Sequence, residues 1–422
     1  MLFTKQQIIK LKLTKRIIRL LLVILLINVL LGITGTLFLT LGIYIIPFII
    51  MLSNIINKPL EEHIKRKYLK KAKEKLNYIN PLVVGITGSF GKTTVKNFVY
   101  SLSDNLNTCM SKRSYNTEMG ICRSILEDLD YSDEIFIAEL GATKSKDIEI
   151  LSKFVAPSIG VITDIGNQHI ESFKTIENIL NTKLEILKSP NIKTLIINSD
   201  NKYLNEFSYP RNINIIRVGK NEAADIRFTN INYNFDKTTF DLIDGLIYPV
   251  ETKVLGIHNI LNIVMAYAVL KTINAEEKEV INKIKDLENP KNRLEIKHIN
   301  NHTIIDNSFN SNISGFLNNI DLLSKSKDYK VIITPGVVEL NKSSKKEHIK
   351  IAEAIIDKID FIYLINNKNT RYMKKEFDLK GFNNYYLCDT FKEAFNKAID
   401  SKKPSTILIE NDLTDYYLNG GI

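Results

Sequence analysis

The segment with the clearest chemistry is the glycine-rich run Gly88-Ser-Phe-Gly91-Lys92-Thr93-Thr94, which follows a short apolar stretch, 81–87, and precedes a helical pattern. Glycines allow backbone N–H groups to converge on phosphate oxygens, and the first turn of a helix adds its dipole. Lys92 is placed to reach the β- and γ-phosphates, and the Thr93 hydroxyl to bind Mg²⁺. The spacing, TGxxGKTT, departs from the common GxxxxGK[ST] because residue 86 is Ile. The run predicts a nucleotide phosphate site; a glycine-rich turn with an exposed lysine is the alternative.

The elements that must position this loop begin at Pro81, where strand-like and helix-like runs start to alternate. This alternation predicts an α/β body with a largely parallel sheet. Ligands of such sheets bind at the carboxyl ends of the strands. Glu139 follows the apolar run 135–138 and is expected at such an end, although a surface acid is the alternative. The stretch 217–255 alternates like short antiparallel strands, and 288–292 is the expected linker to a C-terminal α/β domain.

The positive charge of the chain is confined to its amino-terminal part. The net charge is +10, of which the first 80 residues carry +11 and the remainder −1. A nucleic-acid-binding protein needs a basic face on its folded body, so no nucleic acid is expected as a partner. The three cysteines, Cys109, Cys122 and Cys388, match no metal or disulfide spacing, which is typical of a reducing compartment.

Residues 20–56 contain no charged side chain and lie between two basic clusters. A bilayer span explains such a stretch, because the apolar region of a cleaved signal peptide is only about 7–15 residues long. We expect a transmembrane helical hairpin, 17–33 and 37–55, rather than one tilted helix, since basic residues on both flanks place both ends in the cytoplasm. The basic residues in 60–76 predict a helix that lies against anionic membrane lipid. A helix exposed to solvent is the alternative. The expected location is the cell membrane, with the catalytic domains facing the cytoplasm.

Eight segments, in order between residues 85 and 340, resemble motifs of the Mur ligase superfamily. These ATP-dependent enzymes join amino acids or peptides to cell-wall precursors, and the sequence is most similar to the MurF branch, which adds a D-alanyl-D-alanine dipeptide. Arg293 lies where the arginine that ends a PxxGR-like turn is expected. The segments are the phosphate loop, Tyr115-Asn116-Thr117-Glu118-Met119-Gly120, Ile137-Ala-Glu139-Leu-Gly141, Gly166-Asn-Gln-His169-Ile-Glu171-Ser-Phe173, Thr182-Lys183-Leu-Glu185-Ile, Gly256-Ile-His258-Asn259-Ile-Leu-Asn262, Asp306-Asn-Ser308-Phe-Asn310-Ser-Asn312 and Thr334-Pro-Gly336-Val-Val-Glu339-Leu340.

The resemblance implies a domain order and a set of site residues. The domains are a membrane hairpin with a basic helix, 1–80, a central ATP-binding domain, 81–288, and a C-terminal Rossmann-like α/β domain, 289–422. The expected catalytic residues are Lys92, Lys183, Arg293 and His169. The expected nucleotide-binding residues are Gly88, Gly91, Lys92, Thr93, Thr94, Asn116, Asn259, Asn262, Arg293, Asp306 and Asn307.

The metal ligands implied for two Mg²⁺ ions are Thr93, Glu139, His169 and Lys183. A hydroxyl, a carboxylate and an imidazole suit ions that bridge the phosphates of ATP. The family carbamoylates the lysine at position 183, although an exposed helical lysine is the default, and a histidine such as His169 is ordinarily structural. Asn259 and Asn262 lie three residues apart and share a helix face. The resemblance assigns that face to adenine; helix-capping or buried-amide roles are the alternative.

The implied reaction is amide formation through an acyl phosphate, completed when the domain of Arg293 closes on the phosphate loop. Three departures bear on the substrates. The ribose-contacting aspartate of the family falls on Asn307, beside Asp306; Asp164 replaces a usual Asn; and Glu410 and Asp412 stand where MurF enzymes read KGSR.

Residues 1–80 stand where MurF enzymes hold the uridine diphosphate of their precursor. We therefore expect a carboxylate-bearing peptide acceptor that is lipid-linked or polymeric, as in poly-γ-glutamate synthetases, with archaeal pseudomurein ligases as another parallel. The incoming amine is an amino acid or a dipeptide, and membrane lipid is an expected partner. Two alternatives remain: a membrane-anchored P-loop ATPase or kinase that forms no amide, and a catalytically silent scaffold.

Overall fold

The structure is a computed structural model of the 422-residue chain. It describes residues 13–30, 36–112, 114–166, 170–235, 237–309, 312–337, 340 and 343–410. The chain divides into two compact units, Met1–Tyr78 and Ile79–Ile422.

The described residues of the first unit include two helices, α1 (Lys15–Leu30) and α2 (Thr36–Ile79). The guanidinium of Arg19 on α1 pairs with Glu61 on α2, with Nη2 and Oε1 2.7 Å apart. The basic residues of 65–71 are exposed along α2.

The predicted cell-membrane location is wrong. Among the residues that the structure describes, no helix is both long and apolar enough to cross a membrane. The uncharged stretch 20–56 is divided between two helices; α1 has only 16 residues, where a span needs about 20, and α2 carries charged residues from Lys58 onwards. The turn of the predicted transmembrane hairpin falls largely on 31–35, outside the described residues.

The second unit alternates strands and helices, and its first half is built on nine strands. The strands are β1 (Leu82–Thr87), β2 (Thr108–Met110), β3 (Ile135–Glu139), β4 (Ile159–Ile162), β5 (Thr194–Asn198), β6 (Asn214–Gly219), β7 (Ile226–Tyr233), β8 (Thr238–Asp244) and β9 (Leu246–Thr252). The helices are α3 (Lys92–Leu102), α4 (Glu118–Glu127), α5 (Asp147–Val155), α6 (Ile170–Phe173), α7 (Ile176–Leu184), α8 (Lys202–Asn205), α9 (Ile257–Thr272) and α10 (Glu277–Ile284), with a 3-10 helix at Glu185–Lys188.

These strands form one sheet in the order β2-β3-β1-β4-β5-β6-β7-β8-β9. Neighbouring strands from β2 to β7 are parallel, whereas β7, β8 and β9 pair antiparallel, as the alternating pattern of 217–255 predicts. Helix α9 is apolar on almost every side and buried against the sheet beside α3. The parallel arrangement brings the carboxyl ends of β1, β3 and β4 to the same edge, where the phosphate loop begins.

The second half is a six-stranded sheet with four helices. Its order is β10-β11-β15-β12-β13-β14, with β10 antiparallel to β11 and the other pairs parallel. The mostly parallel α/β architecture of both halves confirms the predicted fold class. The elements are β10 (Glu295–Ile299), β11 (His302–Asn307), α11 (Ile313–Ser324), β12 (Tyr329–Thr334), α12 (Ser344–Ile356), β13 (Phe361–Ile365), α13 (Lys368–Lys380), β14 (Tyr385–Cys388), α14 (Phe391–Ile399) and β15 (Ser405–Glu410).

Leu255 joins the two halves. It precedes α9 of the first half, yet its fully buried side chain belongs to the apolar core of the second half, together with Leu294, Ile305 and Phe316. The segment before α9 is therefore fixed by packing in the C-terminal half.

We expect Leu255→Ala to lower the free energy of unfolding by about 2–5 kcal/mol, the usual cost of truncating a buried leucine. Because Leu255 packs in the second half while its backbone belongs to the first, both halves should lose stability together in a urea titration. Leu246→Ala, at a side chain that is 65% exposed, is the control and should change stability little. A loss confined to one half would contradict the assignment of Leu255 as the joint.

Candidate active site

The phosphate loop connects β1 to α3 and depends on two glycines with positive φ. Gly88 has φ 144° and Gly91 has φ 83°, a region that side chains with a Cβ rarely adopt. A Cβ on Gly88 would overlap the hydroxyl of Thr163, and one on Gly91 would lie 2.6 Å from Oδ1 of Asn262. The loop is thus a close-fitting backbone cradle at the N-terminus of α3, the geometry that phosphate oxygens require.

Lys92, the first residue of α3, folds back over this loop. Its Nζ donates to the carbonyl oxygens of Gly88, at 2.7 Å, and Ser89, at 3.1 Å. Burial lowers the pKa of Lys92 to about 8, an effect that Glu139 opposes and Arg293 reinforces. The ammonium group therefore lies in the cradle and close to both of these predicted site residues.

Glu139 is the last residue of β3, as predicted, and only 2% of it is exposed. Its Oε2 accepts a hydrogen bond from the Thr93 hydroxyl at 2.9 Å, and its Oε1 accepts one from Nδ2 of Asn116 at 3.2 Å. Burial alone would raise the pKa of this carboxyl, but Lys96 and Lys92 hold it below its ordinary value. Glu139 is therefore an ionised carboxylate surrounded by predicted site residues.

Lys96 is a site residue that the sequence analysis missed. Its side chain is 1% exposed, and Nζ lies 3.2 Å from Oε2 of Glu139. Burial lowers the pKa of Lys96, and the charge and hydrogen bond of Glu139 oppose that shift. The signal that could have identified it is its position four residues after Lys92, one turn further along the helix that begins at the loop.

The donor atoms of Thr93 and Glu139 fit a magnesium ion. A hydroxyl and a carboxylate oxygen 2.9 Å apart are the hard oxygen ligands that Mg²⁺ prefers beside phosphate oxygens. Among the described residues, no group of three or more His, Cys, Asp and Glu side chains could hold a metal by itself. His169, the predicted imidazole ligand, lies outside the described residues.

Lys183 lies near the end of α7 with only 3% of its surface exposed, so it is not an exposed helical lysine. Burial lowers its pKa to about 7, with Lys92 adding to the shift and Asp147 and Glu185 opposing it. This amine is therefore neutral at a lower pH than the amine of an exposed lysine.

Glu185 fixes the chain immediately after Lys183. Its Oε1 accepts a hydrogen bond from the backbone N–H of Lys146 at 2.8 Å, and its Oε2 accepts one from that of Glu149 at 3.1 Å. These groups lie at the N-terminus of α5, where backbone donors have no partner within the helix. A carboxylate there is also favoured by the helix dipole.

Asn259 and Asn262 share one face of α9, as their spacing predicts. Nδ2 of Asn262 donates to Oδ1 of Asn259 at 2.9 Å, and Nδ2 of Asn259 donates to the carbonyl of Leu255 at 2.7 Å. Both amides are buried, and that of Asn262 lies against Gly91. The structure therefore brings this pair to the phosphate loop.

Arg293 approaches the same loop from the C-terminal half. Its guanidinium carbon lies 4.8 Å from the centre of the Phe309 ring, a cation–π distance. The charge of Arg293 lowers the pKa of Lys92. The pKa of His258 is lowered to about 4, mainly by burial and to a smaller extent by the charge of Arg293. Arg293 is thus within electrostatic reach of the nucleotide cradle, and His258 is neutral.

Asp306, which lies beside the position expected to contact the ribose, is fully buried. Oδ1 of Asp306 accepts hydrogen bonds from the backbone N–H of Ser308, at 3.2 Å, and from its hydroxyl, at 2.7 Å. Oδ2 lies 2.9 Å from Nζ of Lys297. Both oxygens of Asp306 therefore have partners within the C-terminal half.

Asn307 and Glu410 meet at the carboxyl ends of β11 and β15. Asn307 donates to Oε1 of Glu410 and Asn319 donates to Oε2, each at 2.9 Å. Glu410 is fully buried, so its carboxylate faces these amides and not an anionic substrate. Asp412, its predicted acidic companion, lies outside the described residues.

Asp164 supports the loop from the end of β4. Its backbone carbonyl accepts a hydrogen bond from the N–H of Ser89 at 2.8 Å, and its Oδ1 accepts one from Asn201 at 2.6 Å. Burial raises the pKa of this carboxyl, which the bond from Asn201 partly offsets. The side chain of Asp164 therefore contacts Asn201, while its backbone holds the phosphate loop.

We expect Lys96→Met to lower the free energy of unfolding by about 3–5 kcal/mol, because Glu139 would keep a buried charge without its nearest cation. Urea titration at pH 7.5 measures this loss. Lys153→Met is the matched control: Nζ of Lys153 lies 2.6 Å from Glu149, but the lysine is 60% exposed, and solvent screening leaves such a pair little energy. Equal losses in the two variants would show that the buried pair is not special.

Comparison with known proteins agrees with this geometry. Residues 86–270 match the Mur ligase middle domain family. The UDP-N-acetylmuramoyl-tripeptide–D-alanyl-D-alanine ligase of Buchnera aphidicola subsp. Acyrthosiphon pisum is 30% identical over 341 residues, which are 78% of this chain and 73% of the relative. The ligase of the same name from Buchnera aphidicola subsp. Baizongia pistaciae is 29% identical over 343 residues, with 78% and 72% covered.

A solved structure supports the same assignment. The crystal structure of MurF ligase from Thermotoga maritima in complex with ADP is similar with a TM-score of 0.73 and 26% sequence identity, and the match covers 84% of this chain and 82% of that one. The shared fold spans both α/β halves of the second unit. The chain therefore belongs to the Mur ligase family and is MurF-like within it.

Proposed function

We propose that the protein transfers the γ-phosphoryl group of ATP to the carboxylate of a peptide and then joins the activated carbonyl to an incoming amine. As a MurF-like protein it is an ATP-dependent ligase that forms a C–N bond in peptidoglycan synthesis. The observation that carries the mechanism is the convergence of the glycine cradle, Lys92, Glu139 and Arg293 at one edge of the sheet.

The proposed reaction has two steps. In the first, a carboxylate oxygen attacks the γ-phosphorus and ADP leaves, which forms an acyl phosphate. In the second, the amine nitrogen attacks the carbonyl carbon, inorganic phosphate leaves, and the nitrogen loses a proton. Lys92 and Arg293 offer fixed positive charge to the phosphoryl oxygens, the main contribution that a protein makes to such transfers.

Thr93 and Glu139 are the residues that would hold Mg²⁺ with the nucleotide. The ion supplies positive charge to the phosphate oxygens when it is bound. One oxygen of Glu139 already accepts a hydrogen bond from Thr93 and pairs with the ammonium group of Lys96. The protein therefore fixes the orientation of this carboxylate before the ion binds. We assign the adenine nucleotide to Asn262, whose side-chain oxygen lies against Gly91, and to Asn259, which accepts a hydrogen bond from Asn262.

We assign a carbamate to Lys183. Its neutral amine can attack CO₂, with loss of one proton, and the product is an anion in place of a cation. Two observations support this assignment: the side chain is buried, and its pKa is lowered to about 7. The anion would lie within reach of the charge of Lys92, which itself contributes to the lowered pKa.

The substrates are proposed from chemistry and relationship together. The relatives carry the name UDP-N-acetylmuramoyl-tripeptide–D-alanyl-D-alanine ligase, which supports a peptide acceptor and a dipeptide or amino acid as the amine. In the described part of the chain, the residues before Leu82 form the helices α1 and α2. We propose that the acceptor is recognised through its peptide, with no requirement for a uridine diphosphate carrier.

Lys92→Ala should reduce amide product by about 100-fold or more, the usual loss when a charge-stabilising donor is removed from an active site. Mass spectrometry of the amide, with ATP and acceptor peptides carrying uridine diphosphate or lacking it, measures the loss. Lys392→Ala, at an exposed lysine on α14, is the control and should match the wild type.

Two results would contradict these proposals separately. Phosphate release without amide, under every pairing of acceptor and amine, would indicate an ATPase and not a ligase. Amide formation only on the acceptor that carries uridine diphosphate would overturn the proposed acceptor recognition and leave the ligase chemistry intact.

Ligase activity should depend on CO₂ through Lys183. The amine becomes neutral as the pH rises through about 7, so the carbamate should accumulate above that pH and disappear below it. At pH 8 we expect activity to fall when CO₂ is removed and to return with bicarbonate, and ¹³C NMR with labelled bicarbonate to show one carbamate signal. Lys183→Met should lack both effects, whereas Lys188→Met, at an exposed lysine five residues later, should keep them. A wild-type protein with no carbamate signal and no CO₂ dependence would refute the assignment.

A further inference from the structure

Asn289, in the linker between the two halves of the second unit, holds the backbone of Leu255 on both sides. Its Oδ1 accepts a hydrogen bond from the N–H of Leu255 at 2.7 Å, and its Nδ2 donates to the carbonyl of the same residue at 3.2 Å. The two residues are 34 positions apart. The linker is thus fixed to the segment that immediately precedes α9.

The carbonyl of Leu255 is also the start of a chain of amides that reaches the phosphate loop. It accepts a second hydrogen bond, from Nδ2 of Asn259 at 2.7 Å, and Oδ1 of Asn259 accepts one from Asn262 at 2.9 Å. Oδ1 of Asn262 then lies so close to Gly91 that a Cβ there would be 2.6 Å away. Asn289, Leu255, Asn259, Asn262 and Gly91 therefore form one continuous connection.

The direction of every bond in this connection is set at Leu255. A carbonyl can only accept, so both Asn259 and Asn289 must turn an NH₂ group towards it. Asn259 then presents its oxygen to Asn262, and Asn262 presents its own oxygen to the phosphate loop. Buried amides without the correct partner lose free energy, so the orientations are not interchangeable.

The side chain of Leu255 strengthens the same joint. It packs with Leu294 in the core of the C-terminal half, and Leu294 has the positive φ of 60°, which is uncommon for a leucine. Leu294 follows Arg293 directly. The linker that holds Leu255 therefore leads directly into the arginine that is within electrostatic reach of Lys92.

We infer that Asn289 is a positioning residue that couples the interdomain linker to nucleotide binding through Leu255, Asn259 and Asn262. This inference rests on the proposed function, because it takes Asn259, Asn262 and the phosphate loop as the nucleotide site. When Asn289 of the linker is bonded to Leu255, the side-chain amides of Asn259 and Asn262 have the orientation required for nucleotide binding. When the linker is displaced, the carbonyl of Leu255 and these two amides lose their alignment. Nucleotide affinity and linker position thus depend on each other.

A merely structural role for Asn289 makes a different prediction. If its purpose were only to anchor the linker, the bond from the N–H of Leu255 would be sufficient, and Asn289→Asp would keep it. If the amide chain depends on the position of the Leu255 carbonyl, Asn289→Asp should be as harmful as Asn289→Ala, since a carboxylate cannot donate to that carbonyl and is placed against it.

The test uses the full chain, with ADP as the probe and isothermal titration calorimetry as the binding measurement. We expect Asn289→Ala and Asn289→Asp each to raise the dissociation constant of ADP by at least about fivefold, the lower end of typical coupling between sites. Asn301→Ala is the matched control: its side chain is exposed and donates at 3.2 Å to the carbonyl of Lys402, at the amino end of β11 and away from the loop. It should bind ADP as the wild type does.

Amide hydrogen exchange without nucleotide gives a second measurement that does not depend on binding. In both Asn289 variants, exchange should rise in peptides that cover the phosphate loop and the first turn of α3, relative to peptides from α12. This comparison within one molecule separates a local effect from a general loss of stability.

The outcomes separate the inference from the proposed function. If both Asn289 variants match Asn301→Ala in binding and exchange, or if Asn289→Asp restores wild-type values, the coupling is wrong and the proposed function stands. If wild-type protein does not bind ADP, or if Lys92→Ala binds it equally well, the nucleotide site is wrong and the inference falls with it.

Discussion

The rest of the site depends on the contacts that the buried carboxylate of Glu139 makes. An isolated carboxylate is costly to bury, so its surroundings must supply charge and hydrogen bonds. Thr93 and Lys96 come from α3 and meet the same oxygen, while Asn116 meets the other. These contacts fix the first turn of α3 against the end of β3. The phosphate loop precedes that turn directly, so its glycines are held in place by a charge pair outside the loop.

The second constraint is the joint between the two α/β halves. Parallel sheets place their binding edges at the carboxyl ends of strands, and two such edges must face one another for Arg293 to reach Lys92. The protein achieves this with Leu255, whose backbone immediately precedes the N-cap of α9 and whose side chain packs in the other core. This connection relates the position of one half to the geometry of the other. Catalytic groups contributed by separate domains need such a relation.

The sequence predicted what local pattern determines. The apolar run before Glu139 placed it at the end of a strand, and the three-residue spacing of Asn259 and Asn262 placed them on one face. Partners distant in sequence could not be deduced in this way: nothing in the pattern pairs Glu410 with Asn319, or Asn289 with Leu255, since these contacts follow from how strands and halves are ordered. The membrane expectation failed for a related reason, because an uncharged run does not reveal where each of its helices ends: α1 has only 16 residues, and α2 continues into the charged residues from Lys58 onwards.

The balance of charge explains why this edge of the sheet attracts a triphosphate. Lys92 and Lys96 act on the carboxylate of Glu139, and Arg293 lies within electrostatic reach of both lysines. Lys183 lies within electrostatic reach of Lys92. Cations gathered in a partly buried site repel one another, and burial lowers the pKa of each lysine. The excess positive charge is relieved when anions arrive. A neutral Lys183 reduces the repulsion, the proposed carbamate would reduce it further, and the phosphates of a nucleotide would supply the remaining negative charge. The same burial that makes this group of cations electrostatically unfavourable therefore contributes to the affinity for an anionic substrate.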